Sequence, residues 1–222
     1  MNLKETFNKL CDKLKEFSLR HLLHKLYKKL KLKGKEILVS GRRGTGKSTL
    51  TDFIKDGYNT NKKREFTLIT ESYDIKWEEL LSEDFEKVTD CKGHDYIDNE
   101  EISRVDKAKI ILYLFNVKTI LSNEEEQEIK QIKAELKILN KHLNNCVKNK
   151  KFIAIGTHID CIKGFDKNEN KIIKELKGNI HIQEIQNICP NLSNIEYMSL
   201  HNKYIEKYVK QLIKTLLKGE KN

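Results

Sequence analysis

The chain has 222 residues, enough for one sizeable domain and an appendage, with 34% charged residues, one proline and a net charge of +10. No run is long and apolar enough to span a bilayer. The five cysteines (Cys11, Cys91, Cys146, Cys161, Cys189) lack metal-ligand spacing, so the expectation is reduced thiols in a cytosol rather than a disulfide framework or a zinc site.

The charge is unevenly placed. Residues 1–35 hold eleven Lys/Arg against three acids, a balance of +8, which leaves 32 basic and 30 acidic residues, or +2, for the rest. A nearly neutral main domain argues against nucleic acid as the partner. Residues 1–34 read as a basic helical arm and 35–222 as the main domain. In the arm Leu3, Phe7, Leu10, Leu14 and Phe17 form one stripe, and Leu19, Leu22, Leu23, Leu26 and Leu30 form another. At about 100° per residue the two stripes lie on nearly opposite faces. The arm therefore breaks near Ser18 or has halves with different partners. Residues 18–35 carry seven Lys/Arg and no acid. Two readings of this segment stay open. Residues 18–33 lie on an anionic membrane, giving a cytoplasmic protein with peripheral attachment, or the leucines dock on the main domain with the lysines in water. His21 and His24, one turn apart without a third ligand, read as surface histidines.

Residues 36–40 read as a strand. Gly41-Arg42-Arg43-Gly44-Thr45-Gly46-Lys47-Ser48 follows and fits G-x-x-x-x-G-K-[ST] at each fixed position. A helix continues to about Lys55 with Leu50, Phe53 and Ile54 inward. Strand, loop and helix in this order make a phosphate cradle. The glycines let the backbone curl so that N–H groups over Gly41 to Thr49 face phosphate oxygens, and the helix N-terminus adds partial positive charge. Lys47 would reach the β- and γ-phosphates and the Ser48 hydroxyl would ligate Mg²⁺. Arg42 and Arg43 either neutralise phosphate charge or are simply solvated.

Residues 56–65 read as a polar loop, Phe66–Trp77 as an extended strand, and Phe85–Thr89 as another that ends at Asp90. Residues 94–106, polar with few anchors, read as mobile. The apolar run Lys109–Val117 reads as a central parallel strand. Residues 123–147 read as a helix with Ile129, Ile132, Leu136, Leu139 and Leu143 on one face. Phe152–Gly156 is a further strand. Helices follow near 169–177 and 181–188, then a strand over Ile195–Ser199 and a helix over 203–218. Strands alternating with helices predict an α/β fold with a mostly parallel sheet.

Asp90-Cys91-Lys92-Gly93 places an acid at a strand end followed by a glycine, where Asp90 can orient Mg²⁺ through water and the Gly93 N–H can meet a γ-phosphate. At this point residues 36–218 resemble the small-GTPase-like P-loop GTPase family (Ras-like, translation-factor-related). The resemblance implies a three-layer P-loop sandwich with a six-stranded sheet. It implies GTP and GDP as ligands with Mg²⁺, hydrolysis of GTP that is slow without a partner, and a switch with an effector or activating protein.

The family's guanine-reading [NT]-K-x-D is matched by Thr157-His158-Ile159-Asp160, with His158 in place of the lysine. Asp160 would accept hydrogen bonds from guanine N1–H and the N2 amino group. The family's Ser-Ala-Lys would fall on Ser199-Leu200-His201, where only Ser199 matches. Asp90-Cys91-Lys92-Gly93-His94 is similar to the Asp-x-Pro-Gly-His of translational GTPases, with Lys92 for the proline. There His94 would orient the attacking water; the bland reading is a loop histidine. The family's switch threonine, on Mg²⁺ and the γ-phosphate, falls on Thr67 or Thr70, with Thr67 preferred. Two readings from other classes remain: a nucleotide-binding interaction module with little turnover, and an ATP-using P-loop enzyme.

Overall fold

The structure, a computed structural model, describes residues 36–56, 71–74, 87–90, 99–122, 126–145, 150–190 and 192–218. The arm of residues 1–34 and the candidates Thr67, Thr70, Gly93 and His94 lie outside the described residues.

Among the described residues six strands form one sheet in the order β2-β3-β1-β4-β5-β6. They are β1 (Glu36–Gly41), β2 (Glu71–Asp74), β3 (Lys87–Asp90), β4 (Ala108–Asn116), β5 (Lys151–Thr157) and β6 (Leu192–Tyr197). All neighbours run parallel except β2, which pairs antiparallel with β3 at the edge. The expected α/β fold with a mostly parallel six-stranded sheet is what the chain forms. Helices α1 (Lys47–Asp56), α2 (Asn99–Lys107), α3 (Val117–Leu121), α4 (Glu126–Asn145), α5 (Phe165–Gly178), α6 (Ile180–Ile188) and α7 (Ile205–Lys218) connect the strands. Among the described residues no helix is long and apolar enough to cross a membrane.

The core follows from the sheet's centre. Ile110 to Phe115 on β4 and Phe152 to Ile155 on β5 are buried without interruption, because a parallel strand covered on both faces has no solvent side. The stripe Ile129, Ile132, Leu136 and Leu139 buries α4 against it, and Leu50, Phe53 and Ile54 bury α1. Tyr208, Val209, Leu212 and Leu216 do the same for α7.

Four boundaries differ from the sequence expectation. The segment 94–106, read as mobile, overlaps helix 99–107, in which Val105 is fully buried. Few apolar anchors suffice there because Lys150 Nζ donates to the carbonyls of Val105, Asp106 and Ala108 at the helix's C-terminal end. The short helix α3 begins at Val117, the last residue of the run read as a strand, and extends beyond it; Asn116 caps it by accepting from Lys118 N at 3.0 Å. Helix α5 begins at Phe165, four residues early, after Gly164 in the left-handed region, and bends at Asn168. Strand β6 spans Leu192–Tyr197 rather than Ile195–Ser199.

Candidate functional site

Because β1, β3, β4, β5 and β6 are mutually parallel, the residues that follow their C-terminal ends collect on one edge of the sheet. That edge carries the glycine-rich loop after β1, Asp90 at the end of β3, Thr157–Asp160 after β5, and Ser199–Leu200 after β6.

The loop leaves β1 at Gly41 with φ 132°, where a Cβ would stand 2.1 Å from the Leu114 carbonyl oxygen. Only glycine lets β1 and β4 approach this closely. The Arg42 carbonyl then gathers the turn. It accepts from Thr45 N at 3.4 Å, Thr45 Oγ1 at 2.8 Å and Lys47 Nζ at 3.0 Å, while Lys47 Nζ also donates to the Gly41 carbonyl at 2.8 Å. Lys47 is buried, its ammonium held inside the loop's hollow by the loop's own carbonyls. Helix α1 starts here, with Leu50 N bonded to Gly46 O at 3.0 Å, and its first amides face the same edge. Ser48 and Thr49 are half-buried; Arg43 and Gly44 are exposed.

Arg42 departs from both sequence readings. It is neither solvated nor free to face a phosphate. Its Nη1 donates to Glu135 Oε1 on α4 at 2.9 Å, its Nε lies 3.8 Å from Glu128 Oε1, and Tyr113 OH on β4 donates to Glu135 Oε2 at 2.6 Å. Burial pushes the Glu135 carboxyl above its ordinary range, while Tyr113 and Arg42 oppose that shift. Glu135 was missed in sequence. The available signal was a carboxylate between Ile132 and Leu136 on the apolar stripe of α4, seven residues from Glu128, so both face one side.

Asp90 is the last residue of β3 and stands in register with Val39, two residues before the loop. Thr157 closes β5 opposite Asn116. Its Oγ1 donates to the Phe115 carbonyl at 3.1 Å and lies 2.9 Å from His158 Nδ1. With the hydroxyl proton committed to Phe115, the imidazole must be the donor in that second contact. Neutral His158 is therefore the Nδ1–H tautomer, with Nε2 left as an acceptor. Burial lowers the His158 pKa, against a smaller opposing pull from Asp160, so the ring is neutral at pH 7. The residue sits in the left-handed region (φ 62°, ψ 29°) and turns the chain into a 3₁₀ turn, Ile159–Cys161, that carries half-buried Asp160.

The remaining candidates also reach this edge. Ser199 is buried and its Oγ accepts from His201 N at 3.1 Å. Leu200 lies directly over Gly46 of the loop. The segments after β5 and β6 are tied to each other, since Tyr204 OH donates to Asp166 and packs edge-on against Phe165 at 5.3 Å.

This architecture, a parallel sheet flanked by helices with a glycine-rich loop between the central strand and its helix, is the fold of the Ras-like P-loop GTPases. Era and Arl6 structures are among the solved structures similar to it. Era from Aquifex aeolicus, bound to GDP·AlF4⁻, superposes with a TM-score of 0.50 at 19% identity over 82% of this chain. The present chain spans 56% of that Era chain's length. The small GTPase Arl6 (BBS3) from Trypanosoma brucei, with bound nucleotide analogue GppNp, superposes with a TM-score of 0.54 at 11% identity, covering 83% of this chain and 98% of that one. No protein-family model matches the sequence, and no curated protein matches it significantly.

Proposed function

We propose that the chain is a Mg²⁺-dependent GTP-binding protein that hydrolyses GTP to GDP and phosphate and acts as a nucleotide-controlled switch. The observation that carries this reading is the gathering, on one sheet edge, of the Gly41–Ser48 loop, Asp90, Thr157–Asp160 and Ser199–Leu200. The two superposed structures, themselves bound to GDP·AlF4⁻ and to GppNp, support the same choice of ligand.

In this reading the amides from Arg43 to Thr49, joined by Gly93, surround the phosphates. Lys47 exchanges its two carbonyl partners for β- and γ-phosphate oxygens. Because its ammonium is already drawn out of water, little reorganisation is needed. Asp160 accepts from the guanine N1–H and N2 amino group, Thr157 and His158 hold that turn, and Ser199 and Leu200 complete the base end. Adenine offers neither donor, and a carboxylate shut in by the base but left unpaired is costly, which gives guanine preference a mechanism. Mg²⁺ fits the donor chemistry: the Ser48 hydroxyl in the first turn of α1 and the Asp90 carboxylate at the end of β3, the latter acting through water, are hard oxygen donors, with Thr67 as third candidate and phosphate and water filling the remainder. When bound, the ion neutralises charge that develops on the phosphates. His94, as a neutral imidazole, accepts a hydrogen bond from the attacking water and orients it. Residues 1–34 form the arm outside the 35–222 domain and link nucleotide state to an effector, an activating protein or an anionic membrane.

Calorimetry with Mg²⁺ and GTP, GDP, ATP or XTP, on the wild type and Asp160→Asn, tests the reading. Guanine-only binding, moved towards XTP by the substitution, supports it. Equal affinity for ATP, or an Asp160→Asn variant that behaves as wild type, overturns the base assignment and leaves only the phosphate loop.

A further inference from the structure

The buried Arg42–Glu135–Tyr113 group is not explained by phosphate or base recognition. An ion pair this deep is a poor stabiliser compared with apolar packing of the same volume. Its placement is more informative than its energy. Arg42 contributes two different things to the loop. Its carbonyl gathers Thr45 and Lys47, and its side chain is anchored 93 residues away on α4. Both Glu135 oxygens are used, one by Arg42 and one by Tyr113. Tyr113 is fixed in turn by the sheet, in register with Ser40 at the mouth of the loop. Strand, helix and loop thus meet at one carboxylate.

We propose that Glu135 is a positioning residue for the phosphate loop, acting through Arg42 to hold the carbonyl that closes the loop's turn on Thr45, so that α4 is coupled to nucleotide binding. The proposal rests on the nucleotide-binding reading above. Glu135 touches no atom of the nucleotide in it. Removing the carboxylate takes from the buried Arg42 guanidinium its 2.9 Å partner, while Glu128 lies 3.8 Å from Nε. The guanidinium then moves towards Glu128 or solvent and carries the Arg42 carbonyl with it. Coupling of this kind is reciprocal, so anything that displaces α4 changes nucleotide affinity by the same factor that nucleotide changes its own binding.

The test is a double-mutant cycle on the full chain, read as GDP affinity in Mg²⁺ and as the GDP-induced rise in melting temperature. A purely structural role would change the melting temperature without GDP and leave the GDP-induced rise alone. The expectation is that Glu135→Gln weakens GDP by about tenfold in the wild-type background and less than about twofold in an Arg42→Met background. Additive losses in the two backgrounds, or a Glu135→Gln variant within twofold of wild type, overturn the proposal. If Glu135→Gln does not fold, Tyr113→Phe takes its place; it removes one bond to Oε2 and keeps the ring. It should cost about threefold in GDP affinity, and unchanged affinity overturns the proposal. A wild-type chain that binds no GDP defeats the parent reading instead.

Discussion

Leu200 covers Gly46: a Cβ added to Gly46 would stand 2.2 Å from Leu200 Cδ1, although 154 residues separate them in sequence. The phosphate loop and the loop after the last strand therefore constrain each other. Gly46→Ala meets two obstacles, the displaced leucine and a φ of 87° that side chains other than glycine rarely adopt. The backbone part alone should cost about 1–2 kcal/mol. Melting curves of Gly46→Ala with and without Leu200→Ala separate the two. The double variant should recover the steric part and retain the backbone part. Full recovery would mean that the backbone is not strained there.

The two neighbouring arginines should respond in opposite ways. Arg42→Ala leaves Glu135 buried without its cation and should destabilise the fold by about 3–5 kcal/mol. Arg43 is exposed, so Arg43→Ala should change stability by no more than about 0.5 kcal/mol while lowering affinity for GTP if its side chain faces phosphate. Urea titration and GTP binding measured on the same samples check both statements. Similar stability losses for the two variants would contradict the burial assigned here.

His158 predicts a dependence on pH. Its folded-state pKa lies below the ordinary 6.5 because burial disfavours the cation. In the window from 6.5 downwards the unfolded chain binds more protons than the folded one, so stability rises with pH and falls as the solution is acidified. His158→Asn should flatten this part of the profile, since asparagine does not titrate and tolerates the left-handed backbone at φ 62°. Chemical denaturation at pH 5.5 and 7.5 is the measurement. An unchanged slope in the variant would assign the effect to other groups.

Lys150 should decide whether α2 is formed. Its ammonium satisfies the Val105 and Asp106 carbonyls in the last turn of that helix and the Ala108 carbonyl at the start of β4. Lys150→Met keeps the stem and removes the donors, at about 1.5–3 kcal/mol. Hydrogen exchange should accelerate over residues 99–107 more than over β4. Uniform acceleration would indicate general destabilisation instead.

What could be read in advance was local. The loop's glycines, lysine and serine lie within eight consecutive residues, and the apolar runs of β4 and β5 announce buried parallel strands without help from elsewhere. What could not be read depends on distant partners. Helix α2 has few anchors of its own and is capped by a lysine more than forty residues on. The end of β6 shifted because Met198 N, beyond the strand, still bonds to the Gly156 carbonyl at 2.9 Å, which continues the apolar pattern past the ladder. Arg42 looked like one of two equivalent loop cations, and only α4 distinguishes them. Glu135 could have been noticed, because a carboxylate on a buried stripe requires a partner.

The sheet order has a consequence for how the protein is made. Ile37 of β1 pairs with Val88 on one side and Ile110 on the other, so the strand that launches the loop has no ladder partner until β3 is made and is not flanked on both sides until β4 is. Leu200, which covers the loop, emerges later still, after β6. Closing such long intervals is entropically slow and favours late, cooperative assembly. The earliest part of the site to leave the ribosome is thus among the last to be finished, and a chain interrupted before β6 has strands, helices and a glycine-rich loop without the surface that closes over it.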